Sequence, residues 1–578
     1  MRGIDGEAQR AGDFFVRAGG AEGPAVEHER ARVDGERGGR HRGSSLAGGG
    51  ILPGRSEPWQ DQPVGFGHRA YPEAVETFAW SSLWRLVDGD RARLNLAHEC
   101  VDRWAGPAVA LRLQFADGRR EEWTFADLAA WSARFANFLE RAGLERGARV
   151  GLLLEPSLPF YGALFGTLKR GAVAVPLFTL FGPDALAPRL ADSGARLLLV
   201  GADVEPAHYA ARGVEVLRAD AALEARLAAE SDRYAPATAP DDLAVLQYTS
   251  GTTRALPEAV RHTHRAVVTL MIAAIYGLGL TPDDRYFCPS SPAWGHGLWH
   301  GTISPLALGL AAGAYSGRFD ALRLREALSA FRITNLAAAP TVYRLLRESG
   351  LAGREGLHLT KLTYTGEPMD EATWDWIEAT LGLTPCGIYG STEVGVIVVN
   401  YPGFEGYRVR RGALGKPAPG WDVAVVDPET RRPLPPGEVG EIAVRRKGEW
   451  FLVKDRGTLD ADGYLHHGGR SDDVIISAGW TLSALEIERA LLSHPDVREA
   501  AVVGVADARR GQVPQAWVVS RRRSPSLAAE LQDHVRARLG RHEFPRHVEF
   551  VEALPRTPAG KIDRHALRSR GAPSPPAS

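Results

Sequence analysis

Cysteine is scarce, with three residues in 578, at Cys100, Cys288 and Cys386. They are widely spaced and form no ligand pattern, which excludes a disulfide framework and a zinc site and fits a reducing compartment such as the cytoplasm. No uninterrupted apolar run is long enough to span a bilayer, so no membrane insertion is expected. Charge of one sign is also missing. The formal net charge is −1, and no basic stripe follows the N-terminal region, which argues against a nucleic-acid partner. Lysine is the least expected absence. Of 69 basic residues only Lys169, Lys361, Lys416, Lys447, Lys454 and Lys561 are lysines, so a lysine inside a motif is less readily an accident.

What is present is ordinary for a globular chain: 44% hydrophobic and 24% charged residues, long enough for several domains. Residues 1–56 stand apart. The first 54 residues carry 14 glycines, no lysine and no apolar periodicity, and are expected to be a disordered extension without a signal peptide's apolar centre. A start assigned too far upstream is the mundane alternative. From Asn95 onward, strands and helices alternate. Strands are expected at 149–154, 173–177, 195–200, 243–248, 334–338 and 362–365, with helices at 158–170, 184–192, 264–276, 321–331, 342–348 and 371–380. This alternation predicts an α/β fold with doubly wound parallel sheets. After about residue 410, short strands with glycine turns predict a β subdomain. The last hundred residues predict a small α+β unit. The domains are expected at 57–469 and 474–578, joined by a hinge at 470–473.

Five segments carry chemistry. A strand ending at Tyr248 runs into Thr249, Ser250, Gly251, Thr252 and Thr253, whose hydroxyls and backbone N–H groups could wrap a polyphosphate before a following helix. An ordinary polar loop is the alternative. Gly366, Glu367 and Pro368 make a turn at a strand end, where ligand crevices of doubly wound sheets lie. Tyr389 to Glu393 follows, with Thr392 able to bond a phosphate and Glu393 offering an oxygen to Mg²⁺, although a Thr-Glu pair is also a common helix start. Asp455 and Arg470 flank an Asp462-Gly463 turn and could grip a ribose diol and a phosphate, or simply belong to a charged hairpin. Last, Lys561 sits in a loop braced by Pro555, Pro558 and Gly560.

Taken in order, these five segments resemble the adenylate-forming superfamily of acyl- and aryl-CoA synthetases, peptide-synthetase adenylation domains and luciferases. The likeness covers roughly residues 95–568. Residues 178–185 and 288–296 are most similar to segments of acetyl-CoA and medium-chain acyl-CoA synthetases. The resemblance implies that ATP and a small carboxylic acid give acyl-AMP, and that coenzyme A then displaces AMP after the mobile C-terminal unit rotates. It assigns the phosphates to Thr249–Thr253, the adenine to Gly366–Pro368 and Tyr389, the α-phosphate to Thr392, Mg²⁺ to Glu393 and the ribose to Asp455. It further assigns nucleotide contact to Arg470, the hinge to Asp472, passage of coenzyme A to Gly479 and the adenylation charge to Lys561.

The phosphate loop departs from the family pattern. Arg254 replaces a glycine, and Glu258 and Ala259 replace a lysine and a glycine; Arg254 and Arg261 could restore the lost positive charge. Thr481 stands where related enzymes carry an arginine. Trp294, His296 and the segment around Ala339 are candidate walls of the acyl pocket, with core packing an equal alternative for Trp294. Loading of a carrier-protein thiol and a non-catalytic nucleotide-binding protein are the competing readings, and homo-oligomer formation is left open.

Overall fold

The computed structural model describes residues 70–181, 183–205, 213–248, 259–350, 353–401, 403–470, 474–477, 480–507, 511–539, 544–557 and 560–571. The expected disordered extension at 1–56, the phosphate-loop residues 249–258, the hinge residue Asp472 and Gly479 lie outside the described residues.

Two six-stranded sheets form the body. In the first, Glu215–Arg218, Ala195–Val200, Arg149–Leu153, Val173–Pro176 and Leu243–Tyr248 run parallel, and Ala259–Thr263 closes one edge antiparallel to its neighbour. The inner strands are buried on both faces, which is why they read as continuous apolar runs such as Leu197–Val200. In the second sheet, Tyr286–Phe287, Asn335–Ala338, Lys361–Tyr364 and Cys386–Ser391 are parallel. Gly395–Val399 and Lys416–Pro417 extend it antiparallel.

The helices begin where their sequences supply caps. Thr124 accepts from the Asp127 N–H while the Asp127 carboxylate accepts from the Thr124 N–H, a reciprocal box that starts helix Phe125–Arg141. Ser157 caps Leu158–Arg170, which ends on Gly171 in the left-handed region. These two helices pack on each other, with Trp131 seated over Gly162.

One expectation is corrected. Residues 259–263, expected as the end of a loop leading into a helix at 264, form the strand Ala259–Thr263, and the helix begins at Ala266. Val260 and Thr263 are β-branched, and Arg261 is exposed while His262 is buried, so these residues suit a sheet edge. Two of the expected helices, 264–276 and 371–380, finish in wider π turns at Ala273–Gly277 and Ile377–Leu381.

The β subdomain is a four-stranded antiparallel sheet of Val423–Val426, Gly440–Arg446, Glu449–Leu459 and Leu465–Arg470. An N-terminal segment is fastened near it. Tyr71 donates to the Pro417 carbonyl (2.7 Å), Trp80 donates to the Gly420 carbonyl (3.2 Å), and the Trp80 and Trp421 rings meet edge to face at 5.2 Å. The C-terminal unit has its own sheet and core. Strands Val497–Asp507 and Gly511–Ser520 pair antiparallel, His547–Val551 adds in parallel, and Ala484–Leu492 and Pro525–Leu539 cover one face.

Candidate active site

The parallel strands of the second sheet all end on one side, so the chain segments that follow them gather there. These are residues 288–296 after Tyr286–Phe287, Ala339–Thr341 after Asn335–Ala338, Gly366–Pro368 after Lys361–Tyr364, and Thr392–Glu393 after Cys386–Ser391. Of the expected site residues, Trp294, His296, Ala339, Gly366, Glu367, Pro368, Thr392 and Glu393 therefore come from four neighbouring strand ends.

The turn at Gly366 is the tightest point. Its φ of +96° suits glycine, and a Cβ there would lie 3.0 Å from the Trp294 ring and 3.7 Å from Lys561 Cε. Lys561 comes from the C-terminal unit, and its Nζ lies 5.8 Å from the Trp294 ring centroid. The loop that carries it is internally tied. Lys561 accepts at its carbonyl from the Thr557 N–H (2.7 Å), and Arg556 donates to the Gly560 carbonyl (2.8 Å). The structure thus brings the lysine to the strand-end cluster.

Glu367 is turned to a different task from its neighbour. Its carboxylate accepts from the Thr341 N–H (2.8 Å) and from the Thr341 hydroxyl, capping the first turn of helix Pro340–Glu348. Both bonds use Oε1 of the partly exposed Glu367 side chain. The bond also fixes the Ala339–Thr341 segment against the Gly366 turn.

Tyr389 and Asp455, expected separately, are in contact. The Tyr389 hydroxyl donates to Asp455 Oδ2 (2.6 Å), and His467 Nε2 lies 3.9 Å from Asp455 Oδ1. Asp455 faces Arg470 across the strand pair of the β subdomain. Thr392 and Glu393 occupy the turn between Cys386–Ser391 and Gly395–Val399, both partly exposed. Beneath them Arg446 donates to the Glu393 carbonyl (3.1 Å). Burial pushes the Arg446 guanidinium down to about 9, and the Glu393 charge opposes that shift.

Trp294, His296 and His300 form an aromatic cluster beside Lys561. His296 is buried, with its Nδ1 3.0 Å from Ser290 Oγ and its ring 5.2 Å from Trp294 and 5.7 Å from His300. Burial, then His300 and Lys561, hold His296 well below the ordinary imidazole range, and burial pushes His300 down to about 4. Both imidazoles are therefore neutral at pH 7, suited to lining a pocket. Trp294 also packs, partly buried, against the apolar core cluster of the first sheet.

The strands on either side of the expected phosphate loop are paired. Tyr248 pairs with Ala259 across the hairpin, and its hydroxyl donates to Asp192 Oδ2 (2.6 Å) and to the Arg189 carbonyl (2.9 Å). Arg261 is exposed on the outgoing strand. The Arg446 support, the Glu367–Thr341 cap and the Tyr389–Asp455 bond carried no sequence signal, because each joins positions far apart in the chain.

Lys561 of the C-terminal unit thus lies over the Gly366 turn, and Tyr389 and Asp455 are bonded to each other. Comparison with known proteins supplies the family. Residues 100–449 match the AMP-binding enzyme family and residues 486–561 match the AMP-binding enzyme C-terminal domain, and the chain belongs to this family. The mouse mitochondrial acyl-coenzyme A synthetase ACSM3 is 31% identical over 82% of this chain and 90% of its own length. The acetyl-coenzyme A synthetase of Bacillus subtilis (strain 168) is 28% identical over 86% and 94%. Among solved structures, the Brucella canis acyl-CoA synthetase shares 32% identity with a TM-score of 0.69, covering 87% of this chain and 99% of that one. The anthranilate CoA ligase AuaEII in complex with anthranoyl-AMP shares 27% with a TM-score of 0.74, covering 86% and 99%. Among the described residues, no helix is long and apolar enough to cross a membrane.

Proposed function

We propose that this protein is an AMP-forming acyl-CoA synthetase acting on a small carboxylic acid. The observation that carries the reading is the position of Lys561 against Gly366 and Trp294, where the nucleotide turn and the acyl wall meet. A carboxylate oxygen attacks the α-phosphorus of ATP, the bond to the β-phosphate oxygen breaks and pyrophosphate leaves. Two anions approach in that step, and the Lys561 ammonium offsets their repulsion and the charge on the transferring centre. Tyr389 and Asp455 hold the nucleoside, with Asp455 oxygens available to a ribose diol. Thr392 bonds the α-phosphate. In the second half-reaction the coenzyme A thiolate attacks the acyl carbon, and AMP departs with the oxygen that came from the acid. The C-terminal unit turns about Asp472 between the two, withdrawing Lys561 and bringing Gly479 to the coenzyme A path.

Mg²⁺ fits this site in one form. The described residues contain no group of three or more His, Cys, Asp or Glu side chains able to cage an ion. Glu393, partly exposed in its turn, would be the protein ligand, with ATP phosphates supplying the rest. Bound there, the ion would neutralise phosphate charge. The three cysteines are buried and free, and the cytoplasm remains the proposed compartment.

The test is acid-dependent pyrophosphate release over acetate, medium-chain and aromatic acids, with and without coenzyme A, in wild type and Lys561→Ala. Wild type is expected to release pyrophosphate with at least one acid. The variant is expected to lose about a hundredfold or more of that rate and still convert supplied acyl-AMP and coenzyme A to thioester. Absence of release with every acid would leave a nucleotide-binding protein as the better reading.

A further inference from the structure

The body and the C-terminal unit also meet away from the lysine, at Ser483 and Gly468 beside the expected hinge (3.1 Å) and at a more distant ion pair. Arg498 Nη2 lies 3.1 Å from Glu348 Oε2. Arg498 sits at the start of strand Val497–Asp507, and Glu348 is the last residue of helix Pro340–Glu348.

Each partner is tied to one side of the active site. On the C-terminal unit, Glu499 follows Arg498 and pairs with Arg556 (2.6 Å). Arg556 in turn donates to the carbonyl of Gly560, next to Lys561. On the body, the helix ending at Glu348 is capped at its start by Glu367, the neighbour of Gly366. That helix is a rigid strut of roughly 13 Å. Gly366 then faces Lys561 Cε. The links run from Lys561 through Gly560, Arg556, Glu499, Arg498, Glu348, the helix, Thr341 and Glu367 to Gly366, which lies beside Lys561.

We propose that Arg498 and Glu348 are positioning residues that hold the C-terminal unit in its adenylation pose and so set Lys561 over the Gly366 turn. The inference rests on the adenylation reading above. The pair breaks whenever the C-terminal unit turns away, so it favours one of the two poses. Its side chains are 59% and 31% exposed, so water screens it and the bias is small, which lets the unit leave for the second half-reaction.

The test uses the full chain with spin labels on Glu355→Cys and Ala529→Cys, both exposed positions, because the native cysteines are buried. Arg498→Glu is expected to shift the ratio of distant to close label pairs about fivefold toward distant. The double variant Glu348→Arg with Arg498→Glu restores the wild-type ratio. In the same proteins, Arg498→Glu slows acid-dependent pyrophosphate release and does not slow thioester formation from supplied acyl-AMP, and the double variant recovers the release. An unchanged distance distribution in Arg498→Glu overturns the proposal, as does equal loss of both half-reactions or failure of the swapped pair to restore either readout. If wild type releases no pyrophosphate with any acid, the functional reading fails, and the label distances still decide the ion pair.

Discussion

Gly366→Ala is the most informative single methyl group that can be added to this protein. At φ +96° an alanine is strained by about 1–2 kcal/mol. Its Cβ would stand 3.0 Å from two atoms of the Trp294 ring, closer than carbons normally pack, so the indole must retreat by a few tenths of an ångström. Lys561 Cε, at 3.7 Å, would be in ordinary van der Waals contact with the same methyl, so its packing changes once the indole shifts. If about 2 kcal/mol of this misfit falls on the adenylation transition state, acid-dependent pyrophosphate release drops about 30-fold. Gly463→Ala is the control. Gly463 has φ +80° with nothing within 4 Å of a built Cβ, so it carries similar backbone strain without touching the site. Both variants should lose a few degrees of melting temperature, and only Gly366→Ala should lose adenylation. Equal activity in the two variants would refute the claim that the approach of Trp294 and Lys561 to Gly366 matters.

Two further outcomes follow from buried groups. His262, His264 and His300 are held at about 3, 4 and 4 by burial, whereas an unfolded imidazole takes its proton near pH 6.5. The unfolded chain therefore binds more protons below pH 6.5, and stability should fall as pH drops from 6.5 toward 4, by about 2 kcal/mol per imidazole at pH 5. Denaturant titrations at pH 7.5 and 5.0 that give equal stability would contradict this. Trp80→Ala removes the bond to the Gly420 carbonyl and the edge-to-face contact with Trp421, and should cost about 2 kcal/mol because the ring is half-buried. Its adenylation rate should match wild type at a temperature where both are folded, and a selective loss of rate would place the N-terminal segment in the site instead.

The parts of the fold legible in the sequence were those with local causes. Strand Ala195–Val200 and helix Leu158–Arg170 appear within the bounds expected, since burial on both faces and the Ser157 and Gly171 caps are written in adjacent residues. The strand Ala259–Thr263 was misread as the approach to a helix because five residues carry too few alternations to outweigh the expectation set by a phosphate loop. The packing of Tyr71 and Trp80 was unreadable for another reason: their partners are Pro417 and Gly420, more than 300 positions away. The site shows the same division. Gly366, Tyr389, Asp455 and Lys561 stand out as motif residues, but the sequence does not show that Tyr389 bonds Asp455 or that Glu367 caps the helix at Thr341. Those facts depend on which strand ends become neighbours.

The central claim is that a carboxylate oxygen bonds to the α-phosphorus of ATP beside Lys561. Incubating the protein with ATP, coenzyme A and an accepted acid labelled with ¹⁸O in its carboxylate tests this by mass spectrometry of the nucleotide. The account predicts AMP carrying one ¹⁸O from the acid, formed in step with the thioester. Unlabelled AMP, or the label found in inorganic phosphate with ADP as the nucleotide product, would contradict it.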